Sequence, residues 1–389
     1  MELETWHLLV LPVFFALGWL AARVDIRQVI KESRALPASY FKGLNFLLNE
    51  QPDKAIEAFL EVTRLDPDTM ELHHALGSLF RRRGEIDRAI RIHQNLVDRS
   101  DLNQEQRLKA LYELGQDFLK AGLLDRAETI FKRLQEGTYA MEALKHLREI
   151  YALEKDWDKS IETAEHLDKL GCHSQDADTA HYHCEQALNA MLRKDGESAA
   201  RLLKRALELN RKAVRATLLL GDIEVQAGRT EAAIARWREV ETQNPAYLPI
   251  VAERLVNAFK DLGRIDDGID LLQGYLTRYP SHDLFHILFN SIAQARGWQA
   301  AESLASDALK RQPGLRVLDD YLQACTSQAG EHAELETRMA QDLVHKQVSR
   351  ASNYQCGLCG FRARQFFWQC PACARWDSIP PERKEVDNV

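Results

Sequence analysis

From about residue 37 to about residue 340, apolar residues recur with the spacing of one helix face, and the whole pattern then returns after roughly 34 residues. Gly43, Phe46, Ala55 and Phe59 come back as Gly77, Phe80, Ala89 and His93. After a short insertion around 100–104 they come back again as Gly115, Phe118, Ala127 and Phe131. Later copies read Gly221, Gly228, Ala233, Trp237 and Pro245, then Phe259, Gly263, Leu272 and Pro280, then Gly297, Ala301, Ala308 and Pro313. Fainter copies run through 151–167 and 187–206. The pattern predicts two antiparallel helices per copy. Small residues stand where helices approach closely, and large apolar ones fill the space beside them. Pro67, Pro245, Pro280 and Pro313 fall just past second helices, where a helix must stop. Gly84, Gly122, Gly228, Gly263 and Gly297 fall in the turn inside each copy.

A helical period of this length with small residues at fixed offsets is the tetratricopeptide pattern. The expected fold is therefore all-α: a tetratricopeptide-repeat superhelix over 37–342, with about eight repeats and a helical cap at 317–344. One such unit cannot bury its apolar face, but a stack can. Such arrays commonly present a groove, lined by first helices, to another polypeptide. The period places His74, Arg81, Arg82, Tyr112, Gln116 and Asp222 there as candidate partner-binding residues; each also fits an ordinary solvated helix face.

Residues 6–22 read WHLLVLPVFFALGWLAA, with no charged side chain. Seventeen helical residues span about 25 Å, the short end of what crosses a bilayer. Trp6 and Trp19 suit the interfaces, and Pro12 is tolerable in a membrane helix. A cleaved signal peptide would have basic residues ahead of its apolar run, whereas Glu2 and Glu4 stand there. Residues 1–22 are thus expected to be an N-terminal transmembrane helix, followed by a basic juxtamembrane segment, 23–36, carrying Arg23, Arg27, Lys31 and Arg34. That asymmetry predicts a single-pass protein with its N-terminus outside and its bulk in the cytoplasm.

After a polar linker, 343–353, the unit 354–380 holds Cys356-Gly-Leu-Cys359 and Cys370-Pro-Ala-Cys373, and a tail, 381–389, closes the chain. Two Cys-x-x-Cys pairs at this separation bend into two knuckles whose sulfurs surround one ion, Zn²⁺ or a single Fe. Gly360 suits a left-handed backbone, so that N–H groups turn toward the sulfurs, and Pro371 fixes a turn. Metal binding must supply much of the folding free energy of so small a unit. Tyr354, Phe361, Phe366, Phe367, Trp368 and Trp376 crowd these cysteines. They either wrap the site and dock it onto the last repeats or, with Arg362, Arg364 and Arg375, form a contact surface. The net charge of −7 argues against nucleic acid as the partner. Cys172, Cys184 and Cys325 are scattered singly, which fits buried thiols in a reducing compartment rather than a disulfide framework. His181, His183 and Cys184 lie close together but lack further ligands for a metal. No phosphate-cradling loop, His-Glu-x-x-His or Gly-x-Ser-x-Gly occurs, and a non-enzymatic role is expected.

This order of anchor, repeat array and paired knuckles resembles the lipopolysaccharide assembly protein B family of bacterial inner-membrane proteins. The run from Tyr40 through Phe59, YFKGLNFLLNEQPDKAIEAF, is similar to that family's first repeat. The resemblance implies a rubredoxin-like terminal unit with Cys356, Cys359, Cys370 and Cys373 as ligands, and favours iron slightly over zinc. Ala374 stands where rubredoxin-type second knuckles usually have Gly, and the loop between the knuckles is short, which weakens any inference of electron transfer. The resemblance further implies an adaptor. Its partners would be the deacetylase committing precursor to lipid A, a membrane-bound ATP-dependent zinc protease that degrades it, and lipopolysaccharide assembly proteins. Two alternatives stay open: an iron redox protein with a docking platform, and a nucleic-acid-binding zinc ribbon.

Overall fold

The computed structural model describes residues 19, 38–49, 51–65, 70–172, 176–311, 313–330, 334–351 and 353–384. No helix among them is long and apolar enough to cross a membrane, and the expected anchor lies outside them except for Trp19. The described chain is helical up to the terminal cysteines and divides into two compact units, 1–150 and 151–389.

The first unit contains the helix pairs α1 (Ala38–Leu48) with α2 (Pro52–Leu65), α3 (Met70–Arg83) with α4 (Ile86–Asp98) and α5 (Gln104–Lys120) with α6 (Leu124–Arg133), then most of α7 (Ala140–Glu154). The second contains α8 (Trp157–Lys169), then α9 (Asp176–Leu192) with α10 (Gly196–Leu209) and α11 (Val214–Gln226) with α12 (Thr230–Arg238). A short α13 (Val240–Gln243) and a 3-10 turn, Pro245–Tyr247, lead into α14 (Leu248–Asp261) with α15 (Ile265–Arg278). The pairs α16 (His282–Arg296) with α17 (Trp298–Arg311) and α18 (Leu315–Ala329) with α19 (Leu335–Ala351) complete the helices.

One contact explains the repeating glycine. Gly43, Gly77, Gly115 and Gly221 each face the side chain sixteen residues on: Phe59, His93, Phe131 and Trp237. A Cβ at any of these four glycines would lie under 3 Å from that ring. The ring packs against first-helix backbone at the glycine, and this contact joins the two helices of a pair. Phe59 and Phe131 are fully buried, and so is His93.

The turn within each pair closes on a left-handed residue. Gly84, Gly122, Gly228 and Gly263 have φ between 71° and 87°. The next residue donates its N–H back across the turn, as from Glu85 to the Phe80 carbonyl (2.9 Å) and from Arg264 to that of Phe259 (2.8 Å). In the two faint copies this residue is Lys155 (φ 59°) or Lys194 (φ 61°). Asp156 and Asp195 then cap the following helices by accepting from the N–H groups of Lys159 and Ser198.

Two expected boundaries shift. The polar segment 343–353 is helix as far as Ala351, because its polar residues are the outer face of α19, while Ala340, Val344 and Val348 are half-buried. The first residues of the expected tail belong to the terminal unit: Lys384 bridges Asn353, with N–H···O contacts of 2.9 and 3.2 Å.

Candidate metal centre and its seat on the helices

A two-stranded antiparallel ribbon, β1 (Tyr354–Gln355) and β2 (Arg362–Ala363), opens the terminal unit. Each knuckle hangs from a matching pair of backbone bonds. Gly360 donates to the Cys356 carbonyl (3.1 Å) and Ala374 to that of Cys370 (2.8 Å); Cys356 donates to Phe361 and Cys370 to Arg375. Gly360 has φ 75°, and Ala374 adopts the same left-handed form at φ 54°. The second knuckle therefore keeps the glycine geometry without a glycine.

The four sulfurs lie within 4.8 Å of one another. Cys356 and Cys373 are 3.8 Å apart, and Cys359 and Cys370 are 3.6 Å apart. A tetrahedron with metal–sulfur bonds of about 2.3 Å has edges of about 3.8 Å, so the four sulfurs suit one ion. The Ser378 hydroxyl and the backbone N–H groups of Cys359 and Leu358 hold the Cys356 thiol down to about 6. The Phe361 N–H favours a thiolate at Cys359, but desolvation and the three other sulfurs outweigh it and push that thiol up to about 12. The neighbouring sulfurs thus obstruct the ionisation of Cys359, and a cation among the four removes that obstacle. Phe361, Phe366 and Phe367 pack around the buried Tyr354, Cys356, Cys370 and Ile379. An ion held by the four sulfurs would close this small core.

The aromatics not used inside the unit fasten it to the second group of helices. Trp376 stacks on His181 of α9 (4.6 Å between centroids, 7° between planes) and meets Trp157 and Tyr182 edge-on. The Arg215 guanidinium lies 5.3 Å from the same ring. Trp368 stacks on Tyr247 (5.3 Å, 5°), and Phe366 meets that ring edge-on. Asp377 bonds His181 Nε2 (2.8 Å) and accepts from the Tyr247 hydroxyl (3.4 Å). Burial and the Asp377 carboxylate both raise the Tyr247 phenol. Farther along, Glu382 accepts from the His282 N–H (3.0 Å) and Asp283 from the Arg383 N–H (2.8 Å); Asp283 also pairs with the buried Arg316. These partners sit in the opening turns of α8, α9, α11, α14, α16 and α18 or just before them, so the unit spans a row of helix N-termini. Of the two roles open to the aromatics, wrapping and docking is the one seen, but the seat begins at α8 and α9 rather than at the last repeats.

The candidate groove residues fall into different settings. His74 is buried at 6% exposure with neither ring nitrogen hydrogen-bonded, because its face of α3 turns toward His93 (5.8 Å). It offers almost no surface to a partner, a correction that helical period alone did not reveal. Arg81 is tied to Glu113 and Asp117, both at 2.7 Å. Arg82 is exposed and Gln116 half-buried. Tyr112 stacks on Tyr139 at 4.9 Å, and Asp222 pairs with Arg254 at 3.0 Å. Of the single cysteines, Cys184 is fully buried and its thiol is pushed up to about 12 by that burial, as expected of a packing residue. Cys172 and Cys325 are half-buried.

Fold and site together define a tetratricopeptide protein carrying a four-cysteine rubredoxin-type unit. Residues 42–103 and 184–246 match the tetratricopeptide repeat family, and 354–381 match the rubredoxin metal binding domain. The chain is 35% identical to lipopolysaccharide assembly protein B of Escherichia coli (strain K12) over 378 residues, covering 96% of this chain and 97% of that one. It is 30% identical to the protein of that name from Haemophilus influenzae, over 98% of both chains. The chain belongs to the lipopolysaccharide assembly protein B family. Among solved structures it is similar to MamA from Desulfovibrio magneticus RS-1 (TM-score 0.32, 16% identity, 45% of this chain and 95% of that one). It is likewise similar to Naa15/Naa10 bound to HypK-THB (TM-score 0.39, 17% identity, 79% and 52%).

Proposed function

We propose that the chain is a non-enzymatic adaptor of the bacterial inner membrane that holds down lipid A synthesis. In this reading residues 6–22 anchor it, with the N-terminus in the periplasm and the helices and metal unit in the cytoplasm. The helices receive the deacetylase that commits precursor to lipid A, the membrane-bound ATP-dependent zinc protease then degrades it, and lipopolysaccharide assembly proteins gather on the same scaffold. The exposed Arg82 and the half-buried Gln116, both on first helices, are the contact candidates. The ion, iron or zinc, is structural. The observation carrying this reading is kinship over nearly the whole chain, array and metal unit together, with relatives named for lipopolysaccharide assembly. Tethering would act by raising the local concentration of membrane partners.

The test is a chain lacking residues 6–22, expressed at the native level. Expected are loss from the membrane fraction, a longer deacetylase half-life and more lipopolysaccharide per cell. A truncated chain that leaves the membrane yet keeps deacetylase turnover normal would sink the tethering mechanism. Metal analysis of the purified chain identifies the ion.

A further inference from the structure

Where the metal unit meets α16, α18 and α19, a cavity of about 270 Å³ is lined by charged side chains from both sides. Arg316 comes from α18, and Arg364 and Arg383 from the metal unit. His286 of α16 and His345 of α19 stand at its rim, each held by a carboxylate of α18: His286 by Asp320 (2.6 Å) and His345 by Asp319 (3.0 Å). The Asp320 bond favours the charged imidazole at His286. Asp283 pairs with Arg316 through one of that residue's two terminal nitrogens and lies 3.8 Å from Arg383.

Three hydrogen-bonding groups are left over. Arg316 is 8% exposed, yet its Nη1 is buried and makes no hydrogen bond. Asp319 is 9% exposed, and its Oδ1 is likewise buried without a partner. Arg364 is exposed and has no ion-pair partner among the described residues. Buried donors and acceptors left unpaired are costly, and a site offering both at once calls for a ligand that supplies both. Guanidinium groups suit oxyanions. A carboxylate beside them rejects an oxyanion that carries no proton and accepts one that does.

We propose that this cavity binds a phosphate group that retains a P–OH, as free phosphate or as a phosphate monoester. A small turn of the Arg316 and Asp319 side chains brings Nη1 and Oδ1, now closed to water, to the cavity wall, where the phosphate oxygens accept from Arg316 and Arg364 and its hydroxyl donates to Asp319. Because Arg364 and Arg383 belong to the metal unit and Arg316 to the helices, the bound group clamps one onto the other. Sulfate has the same tetrahedral shape but no proton to give Asp319, so it is the discriminating probe.

The experiment uses the full metal-loaded chain in detergent at about pH 6, where a phosphate monoester still holds a P–OH on much of its population, with sodium chloride holding ionic strength constant. Inorganic phosphate and glycerol 3-phosphate are each expected to raise the melting temperature saturably, by about 2–4 °C, and sulfate to leave it unchanged. Arg364→Gln removes an exposed side chain, so it folds, and it should abolish the rise. Phosphatidylcholine vesicles with and without phosphatidic acid form a second arm. Arg364-dependent binding confined to the phosphatidic acid vesicles assigns the phosphate to a lipid headgroup. Equal responses to phosphate and sulfate, a response that survives Arg364→Gln, or no response to any probe would overturn the proposal.

Discussion

Trp376 lies parallel to the imidazole of His181, with centroids 4.6 Å apart and planes 7° apart, while the neighbouring Asp377 bonds Nε2 of the same ring at 2.8 Å. The two residues are nearly two hundred positions apart, yet the contact joins the metal unit to the fourth turn from the end of α9 rather than to the helix that precedes it in sequence. The unit is short and its own core is small, so its orientation depends on this contact and on the Trp368–Tyr247 stack.

Trp376→Ala should release the unit without unfolding it. The half-buried indole loses its contacts with His181, Trp157 and Tyr182 and with the Arg215 cation, together worth about 2–3 kcal/mol. Hydrogen exchange should quicken at the starts of α9 and α14, with metal content unchanged. Metal loss in the variant would mean that the helices, and not the knuckles, hold the site together.

Removing the ion should act in the same place by another route. Chelation, or Cys356→Ser, leaves crowded thiols in place of a closed core, so the ribbon should unfold and Trp368 and Trp376 should lose their fixed surroundings. Near-ultraviolet circular dichroism should fall while the far-ultraviolet helical signal persists, because contacts between helix pairs are local. Collapse of the helical signal would show instead that the docked unit is required for the helices to stand.

Besides Asp377, which is tied to His181 and Tyr247, three described residues hold left-handed backbone with a side chain attached: Lys155, Lys194 and Ala374. Replacing any one with glycine removes a conformational penalty of about 1 kcal/mol. Lys155→Gly and Lys194→Gly should raise the denaturant midpoint of the second unit or of α7, and Ala374→Gly should slow metal release to a chelator. Pairs of these changes should add, since the sites are distant.

These same residues explain what could be read in advance. The strong copies were visible because a glycine marks each turn, and the copies at 151–167 and 187–206 were faint because Lys155 and Lys194 stand in its place, with the start signal passed to Asp156 and Asp195. The ligand set was legible because its four members lie within eighteen residues. Its seat was not, because it depends on His181, Arg215, Tyr247 and Asp283, which sequence periodicity marks only as first-helix positions. His74 was misplaced for a related reason: a histidine carries no mark of which side of a helix it takes when its neighbour across the pair is also a histidine.

The buried His74 makes the first unit acid-sensitive. Burial, with smaller contributions from Lys109 and His93, lowers its imidazole to about 4. The unfolded chain takes up a proton near pH 6.5, and the folded chain does not until near pH 4. The folded state therefore loses roughly 3 kcal/mol as pH falls through that window. His74→Leu should flatten the pH dependence of amide protection in α3 between pH 7 and 4. An unchanged slope would assign the acid sensitivity to other groups.

His93 occupies the ring position that Phe59, Phe131 and Trp237 fill in the other pairs, and its Nδ1 lies 2.5 Å from the fully buried Asp117, which also takes Arg81. Substituting the family-like aromatic here should not restore an ordinary core. His93→Phe leaves Asp117 buried with one partner fewer, at a cost of about 3–5 kcal/mol. Asp117→Ala alone leaves the buried His93 and Arg81 short of an acceptor and should cost a similar amount. The double variant His93→Phe with Asp117→Ala keeps Arg81 on Glu113 and rebuilds the aromatic contact with Gly77, so it should recover most of the loss. Denaturant melts of the four forms give the coupling directly. Losses that simply add would show that the two side chains contribute independently, and that the polar pair is not what specifies how α3, α4 and α5 pack.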